Sequence, residues 1–439
     1  MAITWDVFLY SIQMIKHLLV VLSMVFLTAS VAQNPVRQEK DSIKREKDSI
    51  RKAEFFKNLG NGYLPISFFN LDLRYLIKFN QYEGFRTGLG GTTNDKFSKI
   101  YRLNAYGVYG FRDKRYKYSF GGGFRIHEPT NTWINLSYTD DLQETGSSTF
   151  LTDKRYFTFF EPRLLNIDLF HRHITKTVGV EHQISPRLLS ETQLSTSKID
   201  PTYNYTFVLG DEQFTNYDLS MAKVSLQWSP FSIYEIVNDR AVEKKNGYPK
   251  FTLQVTQAFS SVFGSDFTFT KLDFRTIQRF MHRNESTTEL TLVAGIADGE
   301  APLTHLYHAY PNNINKETIL QRFSVAGLNS FETMYFNEFF SDKFSTLQFK
   351  HFFKPFKFSE WFKPQLVLIS RFALGDMNSI DRHQGLTFNT LNDLYTESGF
   401  EINKLLFGFG LSFAYRYGAY HLPNFEDNIA FKFTFNISL

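Results

Sequence analysis

Histidines are the side chains of this chain with the widest chemical repertoire. His171 and His173 are separated by one residue, so on a β-strand both imidazoles would project from the same face, a spacing compatible with a metal ion. The sequence identifies no third ligand for them. His305 and His308 lie with Glu300 in a long predicted loop, where the pattern favours solvated histidines. We therefore predict no metal site.

Nucleophilic catalysis is the second chemistry to consider. A lipase-type Ser–His pair would need a histidine and a serine that face the same way on neighbouring strands, and His351 is the mid-strand candidate in the C-terminal half. The chain has no cysteine, which excludes thiolate nucleophiles, disulfides and a lipid-anchor cysteine. No phosphate-binding glycine loop or nucleotide signature is present. We expect a protein without catalytic activity, metal or cofactor.

The C-terminal residues 429–439 indicate which elements build the fold. They alternate strictly between two faces. The apolar face comprises Ile429, Phe431, Phe433, Phe435, Ile437 and Leu439. The other face comprises Ala430, Lys432, Thr434, Asn436 and Ser438. Such a strand, with one face for lipid and one for water, is typical of the closing strand that an outer-membrane barrel presents to its insertion machinery.

The composition agrees with a barrel of this kind. Aromatic residues make up 17% of the 439 residues, with 49 Phe and 23 Tyr, yet charged residues make up 21% and the mean hydropathy is −0.27. A helical membrane protein would not combine these values. The net charge of +4 is too small for a typical nucleic-acid-binding protein. The composition therefore favours strands with lipid on one side and water on the other.

Sixteen alternating segments of about ten residues follow one another. They are centred within 68–80, 85–93, 99–111, 116–126, 132–142, 172–185, 187–197, 217–228, 249–259, 267–279, 286–298, 343–353, 363–375, 395–403, 406–418 and 427–439. An even number of strands places both chain termini on the periplasmic side. The connections then alternate between short and long, except 229–248, which is long where a short turn is expected. That segment either folds inward or shows that the count is locally wrong by two.

The N-terminal residues predict export. Met14 to His17 gives a short basic region, 18–27 an apolar core, and Ser30-Val31-Ala32 a cleavage site before Gln33. We interpret 1–32 as a signal peptide that starts at Met14, rather than as an uncleaved transmembrane helix. Residues 33–64 form a charged periplasmic lead-in, solvated or in a short coiled-coil contact, and 65–439 the barrel.

Three segments, 61–66, 78–91 and 103–111, together resemble the opening strands of the assembly-type outer-membrane barrel superfamily, which includes BamA and the bacterial surface antigens. Within it, the match is to a Bacteroidota family of unknown function whose longer members carry a carboxypeptidase-regulatory-like domain. The motif residues are Glu83, Gly84, Arg86, Gly88 and Gly90. The glycines, with Gly91, remove side chains where a strand bends or another backbone packs closely.

The resemblance also implies a loop between strands 11 and 12 that folds into the lumen and carries a Gly-led motif with a functional Arg. Residues 325–334 occupy that loop here. The corresponding motif residues are Gly327, Asn329, Ser330, Phe331 and Glu332. The Arg is missing, because the chain reads Ser-Phe-Glu at that place, so the Arg contact cannot be transferred to this protein.

We therefore predict an all-β, transmembrane antiparallel barrel of about sixteen strands with an inward-folded loop, located in the cell outer membrane. The resemblance implies insertion, translocation or surface display of envelope components. The alternatives are a passive or ligand-selective diffusion channel and a structural or adhesion barrel, because fold alone does not determine function. The expected partners are outer-membrane lipid, the barrel-insertion machinery through the C-terminal strand, and envelope protein clients, but no nucleic acid.

Overall fold

A computed structural model describes residues 62–151, 162–237, 240–316, 324–359, 362–406 and 409–435. All of them lie in the compact unit Phe55–Leu439. The predicted signal peptide and the lead-in up to residue 61 fall outside the described residues. No helix among the described residues is long and apolar enough to cross a membrane.

Strands dominate the structure. The first eleven are β1 (Tyr63–Ile66), β2 (Phe69–Asp72), β3 (Ile77–Asn80), β4 (Gly84–Thr93), β5 (Tyr101–Gly110), β6 (Arg115–His127), β7 (Thr132–Glu144), β8 (Phe170–Ser185), β9 (Leu188–Pro201), β10 (Thr206–Leu209) and β11 (Glu212–Phe214). The others are β12 (Tyr217–Trp228), β13 (Ile233–Val237), β14 (Arg240–Lys245), β15 (Lys250–Ala258), β16 (Phe269–Met281), β17 (Thr287–Gly299), β18 (Pro311–Asn313), β19 (Ser324–Val325), β20 (Phe331–Tyr335), β21 (Lys343–Phe352), β22 (Gln365–Asp376), β23 (His383–Gln384), β24 (Tyr395–Leu406), β25 (Phe409–Gly418) and β26 (Ile429–Phe435).

The helical elements are short 3₁₀ turns. They are Leu73–Tyr75, Pro162–Leu165, Val262–Gly264, Leu303–His305, Ile380–Arg382 and Phe425–Asn428.

The wall of the barrel is one large antiparallel sheet. Its neighbours run in the order β4, β5, β6, β7, β8, β9, β12, β15, β16, β17, β21, β22, β24, β25 and β26. At the first edge of the sheet, β2 and β3 lie one after the other alongside β4, so together they take the place of one wall strand. Strand β1 pairs with β2. Each of the sixteen predicted segments thus contains wall strand, which confirms the predicted architecture.

The first predicted segment, 68–80, is split in two. The carboxylate of Asp72 accepts the backbone N–H of Arg74 at 3.0 Å and caps the 3₁₀ turn Leu73–Tyr75 between β2 and β3. Side chains that would alternate along one strand therefore change direction at this turn.

The two faces of the wall differ as the alternation predicts. In β26, Phe431 and Phe433 are 40% and 43% exposed, whereas Lys432 is 1% exposed. Phe433 lies beside the outward-facing Leu411 of β25. The side chain of Phe435 is not described, and Ile437 and Leu439 lie outside the described residues. The apolar face of the closing strand therefore points outward, and its polar face points into the lumen.

The connections separate into two ends. We call the end with the longest connections the long-loop end; it carries 81–83, 111–114, 145–169, 202–216, 259–268, 300–342, 377–394 and 419–428. The short-turn end carries 94–100, 128–131, 186–187, 229–249, 282–286, 353–364 and 407–408. The long connection at 229–249 forms a hairpin of its own, β13–β14, while β12 pairs directly with β15, so the predicted strand count holds there.

A hydrophobic cluster closes the long-loop end. Phe207, Phe267, Leu303, Tyr307 and Phe340 are almost completely buried in it. Strand β10 pairs with β11 of the same connection and with β23 of another, so a small sheet built from two connections covers the cluster. We call this assembly the loop cap.

Candidate functional site

The connection between β17 and β21 folds into the lumen. Its described parts, 300–316 and 324–342, are largely buried, and strand β20 is buried at every position except Tyr335. The inward faces of β21, β22, β24, β25 and β26 contact it, as shown below. This is the inward-folded loop between wall strands 11 and 12 that the sequence predicts, and we call it the lumen loop.

Glu332 is the centre of the predicted loop motif. Its Oε1 accepts hydrogen bonds from Gly327 N at 3.1 Å and Ser330 Oγ at 2.7 Å. Its Oε2 accepts one from Asn312 Nδ2 at 2.8 Å and lies 3.0 Å from Lys432 Nζ on β26. Burial acts to raise the pKa of Glu332, but Lys432, Arg371 and the Ser330 hydroxyl outweigh it and hold the pKa below its usual value. Glu332 is therefore a buried, ionised and fully bonded carboxylate.

The turn before Glu332 is tight. A Cβ on Gly327 would overlap Ser330 Oγ, so a larger residue here would displace the hydroxyl that donates to Glu332. At its exposed tip, the carbonyl oxygens of Leu328 and Asn329 accept hydrogen bonds from Lys350 and Gln348 of β21, respectively. Gly327, Asn329 and Ser330 thus lie in a turn that the wall holds in place, and Phe331 and Glu332 begin β20 directly after it.

A second carboxylate, on a wall strand, binds the backbone of the lumen loop. Glu397 of β24 accepts the backbone N–H groups of Glu332 and Thr333 at 3.0 and 2.9 Å and the Thr333 hydroxyl at 2.6 Å. Arg371 of β22 donates to Glu397 at 2.6 Å. Phe331, the remaining motif residue, is buried edge-on against Tyr395 of β24. The wall carboxylate therefore takes over backbone donors that would otherwise be buried without partners.

Further along the loop, Glu338 receives two hydrogen bonds from Arg416 of β25, at 2.7 and 3.1 Å. This fork-like pairing orients the carboxylate as well as neutralising it. The lumen loop is thus contacted by three side chains that the alternation places in the lumen, namely those of Lys432, Arg416 and Lys350.

The lumen loop also occupies the edge of the last strand. Ser324 and Val325, which form β19, pair in parallel with Lys432 and Phe433, and Ala326 N donates to Phe433 O at 2.7 Å. Within the described residues, no pairing joins β26 to any of β1–β4. The free edge of β26 is therefore occupied in part by a segment of the same chain.

A second connection fills the remaining gap. The 3₁₀ turn Pro162–Leu165 contacts both β3 and β19. Gln81, which follows β3, donates from Nε2 to the carbonyl oxygen of Leu165 at 2.8 Å. The seam between the first and last wall strands is thus bridged by β19 and this turn, and we call these two segments the seam bridge.

The motif of the opening strands forms a buried ionic network. Arg86 donates hydrogen bonds from both terminal nitrogens to Asp141 of β7, each at 2.7 Å, and lies 3.4 Å from Glu83. Lys117 of β6 lies 2.6 Å from Glu83, and Tyr106 of β5 donates to Asp141 at 2.5 Å. The network ties the turn after β3 to β4, β5, β6 and β7.

The motif glycines accommodate close contacts. Gly84 has a φ of +65°, which favours glycine. A Cβ on Gly90 would lie 2.5 Å from the ring of Tyr75, and Tyr75 stacks on Tyr106 at 4.2 Å between ring centroids. A Cβ on Gly88 would overlap the neighbouring backbone of β5. Gly88 thus leaves room for a neighbouring backbone, and Gly90 leaves room for aromatic side chains.

The histidine predictions are partly wrong. His305 and His308 are not solvated, because the lumen loop turns inward: His308 is buried 2.7 Å from Glu144, and burial, reinforced by Lys271 and His173, lowers the pKa of His305 to about 3. The ring of His305 lies 6.2 Å from that of His171.

The structure assigns none of these histidines a metal. Among the described residues, no group of three or more His, Cys, Asp or Glu side chains is arranged to hold a metal ion. His351 bonds to the hydroxyl of Thr288 at 2.9 Å rather than to a serine.

The sequence does not identify every residue that holds the lumen loop in place. It singles out neither Arg371 and Glu397 of the wall nor Glu338 of the loop itself. A signal was present, since Arg371, Glu397 and Glu401 occupy inward positions of β22 and β24, where charged side chains need buried partners.

Comparison with solved structures supports the fold. BamA from Haemophilus ducreyi lacking POTRA domains 1–3 superimposes with a TM-score of 0.50 at 10% identity, over 81% of this chain and 68% of that one. CdiB from Escherichia coli gives a TM-score of 0.42 at 10% identity, and CdiB from Acinetobacter baumannii gives 0.41 at 9%. Each matches 81% of this chain, which spans 60% and 57% of those two chains. The likeness to BamA shows a shared barrel fold.

Comparison with sequences gives the family. No curated protein matches the chain. Residues 65–297, just over half of the 439 residues, match the model described as the C-terminal domain of a family of unknown function, DUF5686. The chain therefore belongs to the DUF5686 family.

Proposed function

We propose that this protein is an outer-membrane barrel that inserts, translocates or displays other envelope components through the seam between its first and last wall strands. The observation that carries this proposal is the pairing of β19 with the free edge of β26. An edge strand presents unpaired N–H and C=O groups that can bind another strand. Here a segment of the lumen loop already occupies part of that edge.

Vacating the occupied edge breaks few backbone hydrogen bonds. Strand β19 has only two residues, and the loop around it is held mainly by side-chain contacts such as those of Glu332 and Glu397. A client strand that adds to β26 would replace the backbone hydrogen bonds of β19 with its own. The seam bridge would then move aside, while the wall from β4 to β26 stays intact.

A passive diffusion channel has less support from the geometry. The lumen loop contacts at least five wall strands, β21, β22, β24, β25 and β26, and the loop cap buries a hydrophobic cluster at the long-loop end. A diffusion channel needs a continuous aqueous path through both regions. We retain this function, and a structural or adhesion role, as alternative outcomes of the tests.

The proposed role has no catalytic step and needs no cofactor. Its partners are outer-membrane lipid, the barrel-insertion machinery that receives the C-terminal strand, and envelope protein clients. The location is tested by fractionation: the protein should appear in the outer membrane with heat-modifiable gel mobility, because folded barrels resist detergent at room temperature. Recovery in the inner membrane would contradict the proposal.

The role of the seam is tested with a disulfide, which is convenient because the chain has no cysteine. Val325→Cys with Phe433→Cys places one cysteine on each of two paired positions of β19 and β26. In cells that carry this variant in place of the wild type, we expect oxidation to hold β19 on β26 and to deplete surface proteins, measured by protease shaving and mass spectrometry.

The matched control joins two wall strands that should stay paired, through Leu347→Cys with Phe372→Cys of β21 and β22. This disulfide should leave the surface proteome unchanged, and reduction should restore the seam variant. If the oxidised seam variant displays a normal surface proteome, the seam is not the route.

A further inference from the structure

The connection between β21 and β22 stands out at the short-turn end. It reads Phe353-Lys354-Pro355-Phe356-Lys357-Phe358-Ser359, and it returns through Phe362-Lys363-Pro364. We call residues 353–359 and 362–364 the Phe/Lys hairpin. Alternation of aromatic and basic side chains is typical of segments that lie at the boundary between a membrane and water.

The Phe/Lys hairpin projects beyond the wall. Backbone hydrogen bonds continue past the last paired residues of β21, from Phe353 N to Leu366 O at 3.0 Å, from Phe356 N to Pro364 O at 2.9 Å and from Phe358 N to Phe362 O at 3.3 Å. Phe358 therefore lies up to about 20 Å beyond the end of β21, at about 3.3 Å per residue.

Its apolar side chains have little cover from the rest of the chain. Phe358 is 72% exposed, Phe356 is 51% exposed, and Met281, at the end of the nearby strand β16, is 80% exposed. Several large exposed apolar side chains on one rim mark a surface that contacts something other than water.

The charges around these side chains are mostly positive. Lys354 of the hairpin lies 2.9 Å from Glu285 in the turn 282–286, so the two connections are joined. Lys357 and Arg283 are exposed beside them. With Lys363, the described residues of these two connections carry four cationic side chains and one carboxylate. The surface therefore suits an apolar boundary that carries negative charge.

We propose that the Phe/Lys hairpin is an interfacial anchor for anionic phospholipid. Phe356 and Phe358 enter the boundary between headgroups and acyl chains, and Lys357 and Arg283 pair with the headgroup phosphates. An anionic membrane surface attracts basic side chains, and aromatic rings favour the depth of the lipid headgroups. The proposal rests on the proposed membrane location and adds a lipid class and a binding surface to it.

The depth of the hairpin can be measured in the full chain in phospholipid bilayers. Phe358→Cys, labelled with bimane, should be quenched by lipids that carry bromine near the headgroup and be protected from aqueous iodide. The control is Asp211→Cys in the exposed turn between β10 and β11 of the loop cap, where iodide should quench the label. Strong iodide quenching at position 358, with no quenching by lipid, would overturn the proposal and favour a protein partner on this surface.

The lipid class is tested by electron spin resonance with spin-labelled phosphatidylglycerol and phosphatidylcholine. The wild type should prefer the anionic lipid, and Lys357→Gln with Arg283→Gln should reduce that preference by about five-fold for each charge that contacts a headgroup. The matched control is Lys198→Gln on β9, an exposed lysine far from the hairpin. Equal lipid preference in the wild type and the double variant would overturn the proposal, whereas failure of the wild type to enter bilayers would contradict the membrane location itself.

Discussion

Glu332 of the lumen loop and Lys432 of the last wall strand form an ion pair of 3.0 Å, and both side chains are 1% exposed. Lys432 also donates to the carbonyl oxygen of Asn312 on another part of the loop. Because the backbone of β26 pairs with β19 at the same residue, the side chain and the main chain of Lys432 hold the loop together. The position of the loop and the position of the last strand are thereby coupled.

Removing one partner of this pair should be costly. Lys432→Gln leaves the Glu332 carboxylate buried without its cation, so we expect the free energy of unfolding to fall by about 3–5 kcal/mol. Urea unfolding in detergent micelles measures this change. The double variant Glu332→Gln with Lys432→Gln should lose less than the sum of the single losses, and strict additivity would show that the two side chains do not interact.

The stack between Tyr75 and Tyr106 depends on Gly90. We expect Gly90→Ala to destabilise the protein by about 1–3 kcal/mol, because its Cβ would lie 2.5 Å from the Tyr75 ring. Gly107→Ala on β5 is the matched control, since its Cβ meets nothing within 4 Å. Thermal unfolding of both variants gives the comparison, and equal midpoints would refute the close packing at Gly90.

The outward face of β26 should reject charge. Phe433→Arg places a cation on the lipid-facing side of the closing strand, and we expect a loss of about 2–4 kcal/mol in the free energy of unfolding from phospholipid vesicles. Phe425→Arg changes an exposed aromatic residue in the connection 419–428 and should cost much less. Similar losses would mean that Phe433 does not face lipid.

The lumen loop should block ions. Deletion of 322–338 removes β19, β20 and Glu338, so we expect low conductance of the intact protein in planar bilayers and a clear increase in the variant. The deletion should also lower stability, because the loop packs on the inner wall. A large, steady conductance of the intact protein that the deletion leaves unchanged would favour the diffusion channel.

The loop cap should weaken in acid. Burial, reinforced by Arg382, lowers the pKa of His383 to about 4, from 6.5 for an exposed histidine. The stability that depends on neutral His383 is therefore fully present above pH 6.5. It is lost as the pH falls toward 4, which lowers the free energy of unfolding by up to about 3 kcal/mol. Hydrogen exchange of the β10, β11 and β23 segments should show this loss between pH 7 and pH 5.

His383→Gln should make exchange of the β10, β11 and β23 segments depend less on pH over this range, and the buried His305 accounts for the dependence that remains. His127→Gln, at the exposed short-turn end of β6, is the control and should behave like the wild type. Identical pH profiles for His383→Gln and the wild type would exclude His383 as the source of the effect.

The wall could be predicted because lipid and lumen impose different side chains at alternate positions. Phe431, Lys432 and Phe433 each occupy the face that the period of two assigns to them. The break between β2 and β3 was missed, although Asp72 provides a local signal for a turn. The position of Gly327 in the lumen loop followed from the strand count and the resemblance together.

The partners within the site could not be predicted, because they are distant in the sequence. Nothing near Glu332 indicates that Lys432 and Glu397 approach it from two different wall strands. The pairing of Val325 with Phe433 involves too few residues to leave a pattern. The burial of His308 follows from the inward course of the whole loop rather than from its neighbours in sequence.

The parallel pairing of β19 with β26 has a consequence for the order of folding. Strand β19 precedes β21, whereas β26 is the last wall strand, so this contact closes a loop of chain that includes β21, β22, β24 and β25. Closure of so long a stretch of chain is slow compared with the formation of neighbouring hairpins. We therefore expect the lumen loop to dock late in assembly, so that a docked loop reports the arrival of the last strand.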